Sequence, residues 1–176
     1  MERDTFDPHR ILKQIGLPHL VTAETLVDHF GAALGRTIQL DVITGLTRSG
    51  WCGLWVLGGD GIDYLFIDAG YARIPALKAQ VAAHELGHIV AGHDQSATSE
   101  GNVISLLQQS FPHLPPAVIA RAAAARSTYD QPAEQEAEAF ATAVMSRAAA
   151  EARRASGATG RRAEGVLGHP LGGGRG

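Results

Sequence analysis

The stretch from Pro75 to Gly92 constrains this chain more than any other. It reads PALKAQVAAHELGHIVAG, with proline where the first helical turn tolerates a missing N–H and glycine where a helix stops, so the spacing predicts one helix across it. Inside that helix, beside the apolar Val81, Leu86, Ile89 and Val90, stand His84, Glu85 and His88. Two imidazoles and a carboxylate on such a helix are costly unless they are paired or bound to a cation. An H-E-x-x-H string is expected about 0.02 times by chance in a chain of this length and His and Glu content.

Residues four apart share a helix face, so both imidazoles can converge on one ion while Glu85 projects beside them. Zn2+ suits the pair, since it takes neutral imidazole nitrogen at about 2.0–2.1 Å and in catalytic sites keeps one position for water. Glu85 is then placed to take the proton of that water, and one Zn2+ per chain is the expected cofactor. The alternative is a histidine pair that faces solvent or is only hydrogen-bonded.

A third protein ligand is required, and two patterns compete for it. In the first it follows the helix directly, where Asp94 falls at a suitable position but Ala91 replaces the glycine that this arrangement uses. In the second it comes from a later helix, and DQPAEQEAEAFATAVM offers Glu134, Glu136 and Glu138. The apolar stripe there is Ala137, Phe140, Ala141 and Val144; Glu134 and Glu136 flank it on opposite sides, and Glu138 points further away. Periodicity does not choose between Glu134 and Glu136.

The rest of the chain frames this helix. Residues 8–35 have helical spacing, punctuated by Gly16, Pro18 and Gly35, and TIQLDVI, WCGLWVL and DYLFIDA read as three short strands, with a hairpin signal at Gly59-Asp60-Gly61. Short helices are expected at 103–110 and 117–126, on either side of a proline-rich break, and a last long helix from about Pro132 to Ala150, capped by Asp130. The fold class expected is α+β: a small three-stranded, mainly antiparallel sheet packed with helices, the H-E-x-x-H helix following the sheet.

Charge and composition narrow the partners. The formal net charge is −3, but residues 151–176 carry five Arg against Glu151 and Glu164, which leaves 1–150 at −6. An acidic body is a poor match for a phosphate backbone, so direct nucleic-acid binding is not expected. The segment 151–176 also holds eight of the 21 glycines and reads as a flexible Gly/Arg-rich tail behind a domain spanning 1–150. No apolar run is long enough for a membrane span; no secretory leader is expected after Met1 and Cys52 has no partner for a bridge within the chain, and these two features favour the cytoplasm.

HELGH closely followed by Gly92-His93, a downstream E-x-E-A-x-x-F-A helix and a small upstream sheet resemble the ImmA/IrrE family of zinc metallopeptidases. The resemblance covers about 38–145 and makes 1–150 a metallopeptidase domain. It implies that the Glu directly before Ala137, Glu136, is the third ligand beside His84 and His88, with Glu85 the catalytic base; Glu138 departs from the Asn or Asp usual in that family. It further implies a protein substrate, commonly a helix-turn-helix repressor in stress response or mobile-element control. A metal-holding binding or toxin-like partner without catalysis is the alternative, and a zinc hydrolase acting on a small amide is another.

Supporting roles fall to fewer residues. Tyr71 and Tyr129 are candidate donors to the oxyanion of peptide attack, against the plainer reading of packed tyrosines. Asp68 is a candidate for orienting a ligating imidazole through its outer nitrogen. His93 lies five residues past His88 and so off the ligand face, which reads as a capping or structural histidine, with a supporting place at the site as the other reading. Strand 63–70 is the candidate edge for an extended substrate.

Overall fold

The computed structural model describes residues 6–58, 60–93 and 131–167. The elements in order are α1 (Pro8–Ile15), α2 (Ala23–Leu34), β1 (Ile38–Ile43), a 3-10 turn (Leu46–Ser49), β2 (Gly53–Leu57), β3 (Asp63–Asp68), the short α3 (Ala69–Ala72), α4 (Pro75–Ala91) and α5 (Gln131–Leu167). The expected helices at 103–110 and 117–126, and the Asp130 cap, lie outside the described residues. Among the described residues no helix is long and apolar enough to cross a membrane.

The fold is α+β, with a three-stranded sheet packed with helices. The sheet is mixed rather than mainly antiparallel. Its order is β1-β3-β2, with β2 and β3 antiparallel and β1 and β3 parallel, Ile38 opposite Asp63 and Ile43 opposite Asp68. The hairpin after Leu57 turns the chain back, Gly58 N–H donating to the Ile62 carbonyl at 2.7 Å with Gly61 at φ 81°, and β3 slots between β2 and β1. β3 is therefore central, buried along its whole length and hydrogen-bonded on both sides, so it offers no edge to a substrate; β2 and β1 are the edges.

The start of β3 is fixed by a buried ion pair. Asp63 accepts two hydrogen bonds from the Arg36 guanidinium, at 2.6 and 2.7 Å, and a third from the Trp55 indole N–H at 2.7 Å. This satisfies a fully buried carboxylate and ties the end of α2 to both neighbouring strands.

α4 packs between α5, α2 and β2. Leu86, Ala82 and Ala83 join Phe30, Leu65, Ile67 and Phe140 in one core. The stripe read from the sequence of α5 is buried throughout: Ala137, Phe140, Ala141 and Val144 are solvent-inaccessible. α5 does not end near Ala150 but continues to Leu167, because Ala, Arg and Glu in 148–164 favour helix more than the scattered glycines oppose it.

Candidate metal centre

Helix α4 places His84 and His88 one turn apart on one face, with ring centroids 5.0 Å apart. Their Nε2 atoms stand 3.3 Å from each other. Glu134, reaching over from α5, brings Oε2 to 3.4 Å from the His84 Nε2 and Oε1 to 3.8 Å from the His88 Nε2. Donors bound at about 2.0–2.1 Å around a tetrahedral ion lie about 3.3–3.4 Å from one another, so this triangle has dimensions that Zn2+ can span. Two imidazoles and one carboxylate also make the donor set of a three-ligand catalytic zinc centre. His84, His88 and Glu134 thus form a candidate metal-binding group.

Glu136, to which the resemblance assigns ligation, is engaged elsewhere. Its Oε2 accepts a hydrogen bond from Nε2 of His93 at 2.9 Å. The crossing of the two helices accounts for this exchange of places. Ala137 sits against Gly87 on α4, so Glu134, one turn earlier on the contact face, meets the histidines, whereas Glu136 turns towards the end of α4. Glu138 also reaches the site, its Oε2 3.4 Å from the His84 Nδ1.

His93 is brought back to the site by the way α4 ends. Gly92 takes the left-handed conformation, φ 67°, and the N–H groups of Gly92 and His93 donate to the carbonyls of Ile89 and His88, both at 3.1 Å. That turn folds His93 over the helix end, and its Nδ1 comes to 2.8 Å from the Nδ1 of His88. Helical spacing ceases to apply at Gly92, so the five-residue separation does not remove His93 from the site.

The environments of the two ligand candidates differ. Burial pushes the His88 imidazole down to about 3, and the neighbouring His84 and His93 add to the shift against the attraction of Glu134. His88 is accordingly neutral at ordinary pH, the form that a cation requires. Burial also acts to lower His84, but the hydrogen bond to Glu134 and the charges of Glu85, Glu134 and Glu138 outweigh it, and the net shift is upward.

Glu85 is 6% exposed and, with His84, His88 and Glu134, lines a cavity of about 380 Å3. Gly53 at the start of β2 makes room for it: a β-carbon there would stand 2.7 Å from the Glu85 Oε1 and 2.5 Å from Val81 Cγ1. Tyr71 and Cys52 line the same cavity. The hydrogen bond with the Cys52 side chain, then burial and the nearby Asp68, raise the Tyr71 pKa, so the phenol keeps its proton.

Asp68 does not orient a ligand. Its carboxylate accepts from the backbone N–H groups of Gly45, Thr47 and Gly70 at 3.1, 3.2 and 2.8 Å, which fastens the end of β3 to the 3-10 turn and caps α3. Tyr129 and Asp94 lie outside the described residues. Two glycines essential to the geometry, Gly53 and Gly87, escape a reading based on ligand types. The signal available for both is glycine inside an apolar strand or helix, which marks a close approach of another segment.

No protein-family model matches the chain, no curated protein matches it, and no solved structure matches it, so the centre stands on its own residues.

Proposed function

We propose that the chain is a zinc-dependent endopeptidase of the ImmA/IrrE type, acting in the cytoplasm on a protein substrate such as a helix-turn-helix repressor. The observation that carries this reading is the donor triangle of His84, His88 and Glu134 with the buried carboxylate of Glu85 lining the same cavity. Zn2+ held by those three residues would polarise a peptide carbonyl and lower the pKa of a water towards about 7.

Glu85 takes one proton from the attacking water and later gives it to the amine nitrogen as the C–N bond breaks. Tyr71 is the neighbouring O–H donor for the oxygen that gains charge during attack. β2 is the edge strand whose first residues border the cavity, and it replaces strand 63–70 as the place where an extended substrate backbone would lie. Both ring nitrogens of His93 are engaged, one with His88 and one with Glu136, so His93 does not close the fourth position of the ion.

The test measures metal content and cleavage of a helix-turn-helix repressor by the native chain and by Glu85→Gln. Both forms are expected to hold about one metal per chain, with cleavage by the native form alone. Equal cleavage by both removes Glu85 from the mechanism. Metal uptake without cleavage by the native chain favours the non-catalytic partner.

A further inference from the structure

With a neutral His93 ring, the hydrogen bonds around it have one consistent direction. A carboxylate accepts and does not donate, so the 2.9 Å contact to Glu136 requires a proton on Nε2 of His93. A neutral imidazole with its proton on Nε2 presents Nδ1 as an acceptor. The 2.8 Å contact between the two Nδ1 atoms is then a donation from His88 to His93. His88 with its proton on Nδ1 has a lone pair on Nε2, and Nε2 is the atom that faces His84 and Glu134.

We infer that Glu136 and His93 are positioning residues: the chain Glu136–His93–His88 holds His88 in the Nδ1–H tautomer and aims its bare Nε2 at the metal position. The inference rests on the proposed metal centre and not on peptide cleavage. It gives Glu136 a defined place one step removed from the ion, with a second histidine inserted between the carboxylate and the ligating imidazole. Ligating histidines commonly donate their outer N–H to a carboxylate, carbonyl or water, a place that the His93 ring nitrogen takes here, and loss of such a partner weakens metal binding about 10–100-fold.

The experiment has two readouts, neither of which depends on catalysis. In the first, nitrogen NMR of the metal-free native chain identifies the protonated ring nitrogen of His88. Nδ1–H is expected, and Nε2–H overturns the inference. In the second, chelator competition measures Zn2+ affinity for the native chain, His93→Leu, His93→Gln, Glu136→Gln and Glu134→Gln.

His93→Leu is expected to weaken affinity about 10–100-fold while still binding one ion, and Glu136→Gln, whose amide oxygen can still accept from His93 Nε2–H, to weaken it less. His93→Gln is expected to recover most of the loss, since its amide can accept from His88 and donate to Glu136, whereas a residue needed only to fill space would be served as well by Leu. Native-like affinity in His93→Leu overturns the inference and leaves the metal centre standing. Abolished binding in Glu136→Gln with binding kept in Glu134→Gln also overturns it, by making Glu136 the ligand. A native chain that takes up no Zn2+ defeats the proposed function, and the tautomer of His88 still decides the hydrogen-bonded chain.

Discussion

Gly87 of α4 lies directly on the main chain of Ala137 in α5: a β-carbon on Gly87 would stand 2.8 Å from the Ala137 Cα and 3.0 Å from its carbonyl oxygen. This contact sets the distance between the helix that bears both histidines and the helix that bears Glu134. Backbone atoms do not rotate aside as a long side chain does, so Gly87→Ala has to separate the helices. The expected outcome is a destabilisation of about 1–3 kcal/mol together with a loss of Zn2+ affinity of about tenfold or more. Denaturant unfolding and chelator competition measure the two effects, and unchanged affinity would show that helix spacing does not govern Glu134.

Gly53→Ala tests the other close approach. The atoms nearest to the added methyl group belong to Val81 and to the Glu85 side chain. Metal stoichiometry is expected to persist and cleavage to fall about 100-fold, the lower end of what a misplaced general base removes. A kinetic comparison with Glu85→Gln checks this, since the double variant should be no slower than Glu85→Gln alone.

Metal affinity should depend on pH through His84. Its pKa is raised above 6.5, burial being outweighed by Glu134, Glu85 and Glu138, while His88 titrates near 3. The proton and the ion compete for the same nitrogen, so affinity is full above the raised pKa and falls by about tenfold per pH unit below it. Titrations across pH 5–8 should show release of about one proton per ion at the acid end. Glu138→Gln removes one of the groups that raise His84, and the fall should move to lower pH.

Asp68 is expected to affect stability and leave metal binding alone. Burial acts to raise its pKa, but hydrogen bonds from Gly70, Thr47 and Gly45 outweigh that and hold it below 3.8. A depressed carboxylate contributes stability above its unfolded value, and that contribution disappears as pH falls through the folded one. Asp68→Asn should therefore cost about 1–3 kcal/mol at neutral pH, flatten the loss of stability below pH ~4 and leave Zn2+ affinity unchanged. A large loss of affinity would restore Asp68 to the metal centre.

Much of the frame was legible because local rules decide it. Pro75 and Gly92 bound α4 as read, Gly61 closes a hairpin, and Ala137, Phe140, Ala141 and Val144 form the buried stripe of α5. The parallel pairing of β1 with β3 was not legible, because a hairpin signal reports only its own two strands. What joins β1 to β3 is tertiary: Asp63 gathers Arg36 and Trp55, and its own N–H donates to the Thr37 carbonyl at 2.9 Å.

At the candidate metal centre, His84, Glu85 and His88 form a local motif within one helix. Glu134 and Glu136 could not be separated by periodicity, since both flank the same stripe. The choice follows from where Gly87 meets Ala137, a contact between segments distant in sequence. Counting helical turns from His88 puts His93 off the ligand face, but the helix has already ended at Gly92.

The donor atoms come from two helices whose ends, Ala91 and Gln131, are separated by a long run of chain. An ion shared between them would act as a cross-link, closing a large loop and restricting the unfolded ensemble as well as joining folded parts. Removal of such an ion would thereby shorten the life of the folded protein and lower its abundance.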